Sequence, residues 1–193
     1  MEIKPYIQTT YETCLPSCLI MLLSLRSNPE EEIEIWRHGW SFERKYCTYV
    51  IGQLNYVASK WGVHFELIIE NKGDYYINEK LALPQIKTRN SKIDLELIKK
   101  NLGFGPVILY VDSYYIPKYI NKSYHSPPEY IKSFYHYPHF ILILSLKRRI
   151  KIIDSLDGKV KFIKKGAIKN AIASLRSPLS FSPFLIRKLN KKY

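Results

Sequence analysis

The apolar positions of this chain change their period about halfway along. Near the amino terminus Cys18, Leu19, Leu22 and Leu23 recur at helical spacing behind Pro16, which predicts a helix over 15–25. Its polar lead-in, Gln8-Thr-Thr-Tyr-Glu-Thr13, offers capping oxygens. Asn28-Pro29 ends this element and opens an acidic segment carrying Glu30, Glu31, Glu32 and Glu34. Val50, Leu54, Val57 and Ala58 mark one face of a second helix over about 45–60, stopped by Trp61-Gly62-Val63. A strand follows at 64–69, then an irregular stretch over 70–92 and a short helix from Leu95 to Asn101.

Beyond Gly105 the pattern is that of strands. Pro106 to Val111 reads as a buried strand, and a tyrosine- and proline-rich loop runs from Pro117 to Pro138. Phe140–Leu146 and Ile150–Asp154 flank a basic turn, Lys147-Arg-Arg149, and form a hairpin. Further strands are expected at 159–163 and 181–189, with a helix between them around 167–175. Helices first and strands afterwards give an α+β class, amino-terminal helices packed on an antiparallel sheet.

The 193 residues fit one domain, 1–193, large enough for its own core. Three cysteines are an odd number and do not make a secreted disulfide framework. The start, Met-Glu-Ile-Lys-Pro, lacks the order of a secretory signal, so the cytoplasm is the expected location. Thirty Lys and Arg against 17 Asp and Glu leave a net charge of +13. Nine of the basic residues lie between Lys147 and Lys169 against Asp154 and Asp157. That stretch suits a solvated face, or an acidic or nucleic-acid partner, although no nucleic-acid recognition motif accompanies it.

Candidate chemistry centres on Cys14, at the start of the first helix, where unpaired N–H groups and the helix dipole favour a thiolate. Cys18, one turn on, has apolar neighbours and reads as core, while Cys47 has no assigned role. The Cys14-x-x-x-Cys18 pair has no second pair of ligands, so neither a metal nor a cofactor is expected. A nucleophilic cysteine needs a base. His139 precedes one strand of the hairpin and Asp154 closes the other, so a tight turn sets them directly opposite, with Cβ atoms about 5 Å apart. A carboxylate there can fix the imidazole tautomer, or simply make a structural hydrogen bond. Spacing leaves open whether thiol and imidazole meet. His38 and His64 read as structural or exposed. His125, His136 and many of the 16 tyrosines lie in or near the long loop, as packing or a cleft wall.

The segment Gln8-Thr-Thr-Tyr-Glu-Thr-Cys14-Leu-Pro-Ser-Cys18-Leu-Ile-Met-Leu-Leu resembles the amino-terminal motif of the bacteriocin-processing, double-glycine-leader peptidases. His139-Phe-Ile-Leu-Ile-Leu and Ile150-Lys-Ile-Ile-Asp154 are similar to that family's second motif. The resemblance implies a papain-like fold and a cysteine peptidase acting through an acyl-enzyme on a peptide bond. Cys14 would be the nucleophile, His139 the base and then acid, Asp154 its orienter and Gln8 an oxyanion donor. Leu15 stands where the family usually has Gly, and Thr13 where it has Asp. Pro106-Val-Ile-Leu-Tyr-Val-Asp112-Ser-Tyr-Tyr-Ile-Pro117 also looks like the papain-like acyltransferase domain of the butirosin pathway. That similarity implies acyl transfer from a thioester to an amine, with Asp112 binding a cationic acceptor unless it is an ordinary strand-end turn residue. A third expectation is a catalytically inactive papain-like scaffold binding an acidic partner or nucleic acid.

Overall fold

The computed structural model describes residues 3–26, 28–39, 50–71, 82–116, 136–177 and 179–189. Its frame is a seven-stranded mixed sheet with helices on both faces, an α+β arrangement. In chain order come α1 (Cys14–Leu23), α2 (Pro29–Arg37), α3 (Val50–Trp61), β1 (His64–Ile69), β2 (Ile86–Asn90), α4 (Leu95–Leu102) and β3 (Val107–Asp112). A 3-10 turn at Ser113–Tyr115 leads on, followed by β4 (Pro138–Leu146), β5 (Ile150–Asp154), β6 (Lys159–Ile163), α5 (Lys165–Arg176) and β7 (Phe184–Leu189). The spatial order of the strands is β2-β1-β7-β3-β4-β5-β6.

The two faces of the sheet are divided by strand alternation. Phe140 and Leu142 of β4 join the core beneath α1, α2 and α3, whereas Ile141 and Ile143 join the core beneath α4 and α5. With both sides covered, the strand reads Phe-Ile-Leu-Ile-Leu, an unbroken apolar run. Helix α1 is buried from Leu15 to Leu22, as expected of a helix apolar all round, and lies against β4 and α2. It ends at Ser24 in the left-handed region, φ 52°, whose N–H turns back onto the helix carbonyls.

Three expectations need correction. The sheet is not wholly antiparallel: β2 occupies part of the stretch read as irregular and pairs parallel with β1, Phe65 opposite Ile86. The second helix is described from Val50, and 45–49 lie outside the described residues. Finally, Asp154 is opposite Ile141 rather than His139, because the hairpin turn spans three residues, Lys147–Arg149, and the bulge between Ile143 and Ser145 recovers only one position of the register. Among the described residues no helix is long and apolar enough to cross a membrane.

Candidate active site

The start of β4 is flanked by the carboxyl-terminal ends of β3 and β5, each closing on an aspartate. His139 sits on β4 and Asp154 on β5, displaced by two residues along the ladder but on the same face. Diagonal neighbours of this kind remain within reach of long side chains. Nε2 of His139 lies 2.8 Å from Oδ1 of Asp154, and each side chain is 1% exposed. The other ring nitrogen, Nδ1, is not taken by the aspartate, and Cys14, the first residue of α1, lies near enough to raise the imidazole by charge and hydrogen bonding. Thiol, imidazole and carboxylate thus form one chain of contacts, although 125 positions separate the first two in sequence.

Burial pulls the His139 imidazole down, but the charge and hydrogen bond of Asp154, helped by Cys14, outweigh it and push the group up to about 9. Burial raises Asp154 in the same way, yet His139 and Lys161 hold its carboxyl well below the usual carboxylate range. Lys161 Nζ is 2.7 Å from Asp154 Oδ2 and 2.8 Å from Asp157 Oδ2, and is buried. The Leu156 N–H donates to Asp154 Oδ1 at 3.0 Å. A carboxylate with this many donors stays ionised and stays oriented.

Gln8 is brought to the same corner. Its backbone N–H donates to the Ser155 carbonyl at 2.8 Å, and the Ser155 hydroxyl donates to its Oε1 at 2.7 Å. The side-chain nitrogen spends one proton on the Thr10 carbonyl, 2.7 Å away; the second has no acceptor among the described residues. Thr13 occupies the N-cap position of α1 but does not cap it. Its Oγ1 instead accepts from Thr10 N and donates to Thr10 O, which leaves the N–H groups of the first turn uncapped by any side chain. Leu15 packs inward and is 3% exposed.

Several neighbours were not anticipated. Lys161 reads as one more solvated cation of a Lys-rich strand. The alternation is its signal: Val160 and Phe162 point outward while Lys161 and Ile163 point inward. Tyr137, its ring 6.1 Å from His139, is driven above the tyrosine range by burial and by the charges of Asp154 and Cys14. Glu32, from the acidic segment, is completely buried. Cys18 is core as expected: its Sγ donates to the Phe140 carbonyl at 3.6 Å, and burial pushes the thiol up.

The remaining candidates lie elsewhere. Asp112 is buried and engaged by Tyr114 N, Ser174 Oγ and His136 Nδ1, which is the turn role rather than an open acceptor site. His38 stacks on Tyr56 at 4.0 Å. Cys47, His125 and most of the tyrosine-rich loop lie outside the described residues. Of the basic stretch, Lys147, Arg148 and Arg149 form the exposed hairpin tip. Lys99, Lys147, Lys165 and Lys169 line a cavity of about 640 Å³ with Asp94 and Glu96. A scan against protein-family models matches none, and a search of curated proteins returns no match.

Proposed function

We propose that this chain is a papain-like cysteine hydrolase that cleaves an amide or peptide bond through an acyl-enzyme on Cys14. The observation that carries the reading is the chain of contacts from the Cys14 thiol through His139 to Asp154. In the first half-reaction the Cys14 thiol passes its proton to His139 as its sulfur attacks the carbonyl carbon, and the C=O electron pair moves onto oxygen. The uncapped N–H groups at the start of α1 and the spare Gln8 N–H are donors available to that oxyanion. The C–N bond then breaks, His139 delivers its Nδ1 proton to the departing amine, and a thioester remains. In the second half a water loses its proton to His139 as its oxygen attacks the thioester. The carboxylic acid leaves and Cys14 is restored. An amine in place of that water would make the same apparatus an acyltransferase.

The inward packing of Leu15 is compatible with catalysis despite the absence of glycine after the nucleophile. The test is iodoacetamide labelling at neutral pH, followed by intact-mass detection of an acyl adduct from p-nitrophenyl acetate. Cys14 is expected to react far faster than Cys47 and to slow when His139→Ala is introduced. Equal rates for the two thiols, unaffected by that substitution, would sink the assignment.

A second reading, docking of an acidic partner, is favoured by one observation. None of the four lysines around the cavity has an ion-pair partner among the described residues. Binding to generic RNA should weaken steeply with added salt; salt-insensitive binding rejects it.

A further inference from the structure

We propose that Glu32 is a positioning residue for the reaction at Cys14, tying the segment that carries the Gln8 donor to the helix that carries the nucleophile. The proposal rests on the acyl-enzyme reading.

Glu32 belongs to the first turn of α2, which Asn28 caps through a hydrogen bond to Glu30 N and Pro29 starts. It is 0% exposed and has no cation within ion-pair distance among the described residues. Four donors meet its two oxygens instead. Oε1 accepts from Thr9 N at 2.8 Å and from Ser17 Oγ at 2.9 Å. Oε2 accepts from Thr9 Oγ1 and Tyr6 Oη, both at 2.5 Å. Thr9 N is an obligatory donor, and the three hydroxyls complete the set around the two oxygens. The amino end of α2 adds the favourable end of its dipole.

The identity of these donors gives the arrangement its meaning. Tyr6 and Thr9 bracket Gln8 on the amino-terminal segment. Ser17 lies in the first turn of α1, and its hydroxyl is shared with the Thr13 carbonyl at 2.8 Å, directly before Cys14. Ser155 and Thr10 orient the Gln8 amide, and one buried group ties the segment carrying it to the helix carrying the sulfur it must serve. Burying a carboxyl group is costly unless its hydrogen bonds are made, and a hydrophobic contact between α1 and α2 would serve packing alone. A displacement of about 1 Å in such a donor can cost on the order of a hundredfold in rate.

Iodoacetamide alkylation proceeds by displacement at carbon with no oxyanion, so it reports the thiol and imidazole alone. Acylation by p-nitrophenyl acetate passes through an oxyanion and reports the donors as well. Glu32→Gln is expected to slow acylation of Cys14 by about thirtyfold to a hundredfold while alkylation stays within about threefold. In a Gln8→Ala background the same substitution should add less than about threefold, because the donor it positions is gone. Thr9→Val and Ser17→Ala each remove one of the four hydrogen bonds and should show the same split on a smaller scale. They decide the matter if Glu32→Gln does not fold. An unchanged acylation rate, a parallel fall of acylation and alkylation, or full additivity with Gln8→Ala each overturns the proposal. Failure of the unmodified protein to alkylate at Cys14 overturns the acyl-enzyme reading instead.

Discussion

Two histidine–aspartate pairs stand three residues apart on the approach to β4, and they are built alike. Asp112 ends β3 and Asp154 ends β5, and each takes the N–H two residues on at 3.0 Å. Each holds one imidazole, His136 at 2.6 Å and His139 at 2.8 Å. The difference lies in what the second ring nitrogen meets. His136 gives Nδ1 to its aspartate, is 35% exposed and stacks on the exposed Tyr114 at 4.2 Å. His139 gives Nε2, is sealed from water and lies close enough to the Cys14 thiol at a helix start to be raised by it. A carboxylate behind an imidazole is thus a common structural device. The third partner, and the exclusion of water around it, makes one of the two a candidate for chemistry.

The sharpest way to break this comparison is to remove each imidazole in turn. His139→Ala is expected to lower acylation of Cys14 by about 10⁴-fold or more, as loss of a triad member does. His136→Ala should leave it within about threefold. Equal losses in a p-nitrophenyl acetate assay would abolish the distinction.

The second contrast is in stability. Asp154→Asn leaves Lys161 buried without its full counter-charge, at a cost of about 3–5 kcal/mol, or roughly 10 °C in Tm by calorimetry. Ser174→Ala, which takes one hydroxyl donor from Asp112, should cost about 1.5–3 kcal/mol.

A third difference appears in pH. His139 is raised from 6.5 to about 9, so its pair stabilises the fold fully below about pH 6.5 and loses that contribution as pH rises through about 9. Unfolding free energies from denaturant titrations should fall across this interval, by an amount on the order of 3 kcal/mol, and the fall should vanish in His139→Gln. Asp154 works in the opposite sense. Its carboxyl is lowered, so its contribution is present above about pH 4 and disappears as pH falls further.

The smallest effect expected is at Gly158, which closes the β5–β6 turn at φ 58°, where a Cβ would lie 2.4 Å from Ile7 Cγ1. Gly158→Ala should cost about 1–2 kcal/mol in urea unfolding. Because Ile7 precedes Gln8, it should also slow acylation more than alkylation.

Much of the site was legible from spacing. Cys14, His139 and Asp154 stand at the ends of elements whose apolar periods are clear, and element ends are where such groups meet; Gln8 lies in the irregular lead-in and is singled out only by the family resemblance. The register was not legible. The turn takes three residues, Lys147–Arg149, and the bulge at Ile143–Ser145 recovers only one position, neither of which a hydrophobic pattern encodes, so His139 lies two residues along the ladder from the place expected for it. Strand β2 was missed because Ile86-Lys-Thr-Arg-Asn90 buries only Ile86 and lies at the sheet margin. Glu32 and Lys161 escaped for a common reason. Each sits in a run of like charge that reads as a wetted surface, and only the packing of a second element turns one member inward.

Lys161 lies on β6, the outermost strand, whose outer face shows Phe162 at 60% exposure. The ammonium that steadies Asp154 is therefore mounted on the margin of the sheet, where strands fray most readily. Each fraying event at that margin withdraws a cation from the acid that aims the imidazole. Hydrogen exchange at the amides of 159–163 therefore measures how long the support from Lys161 persists, and is the clock against which acylation of Cys14 should be compared.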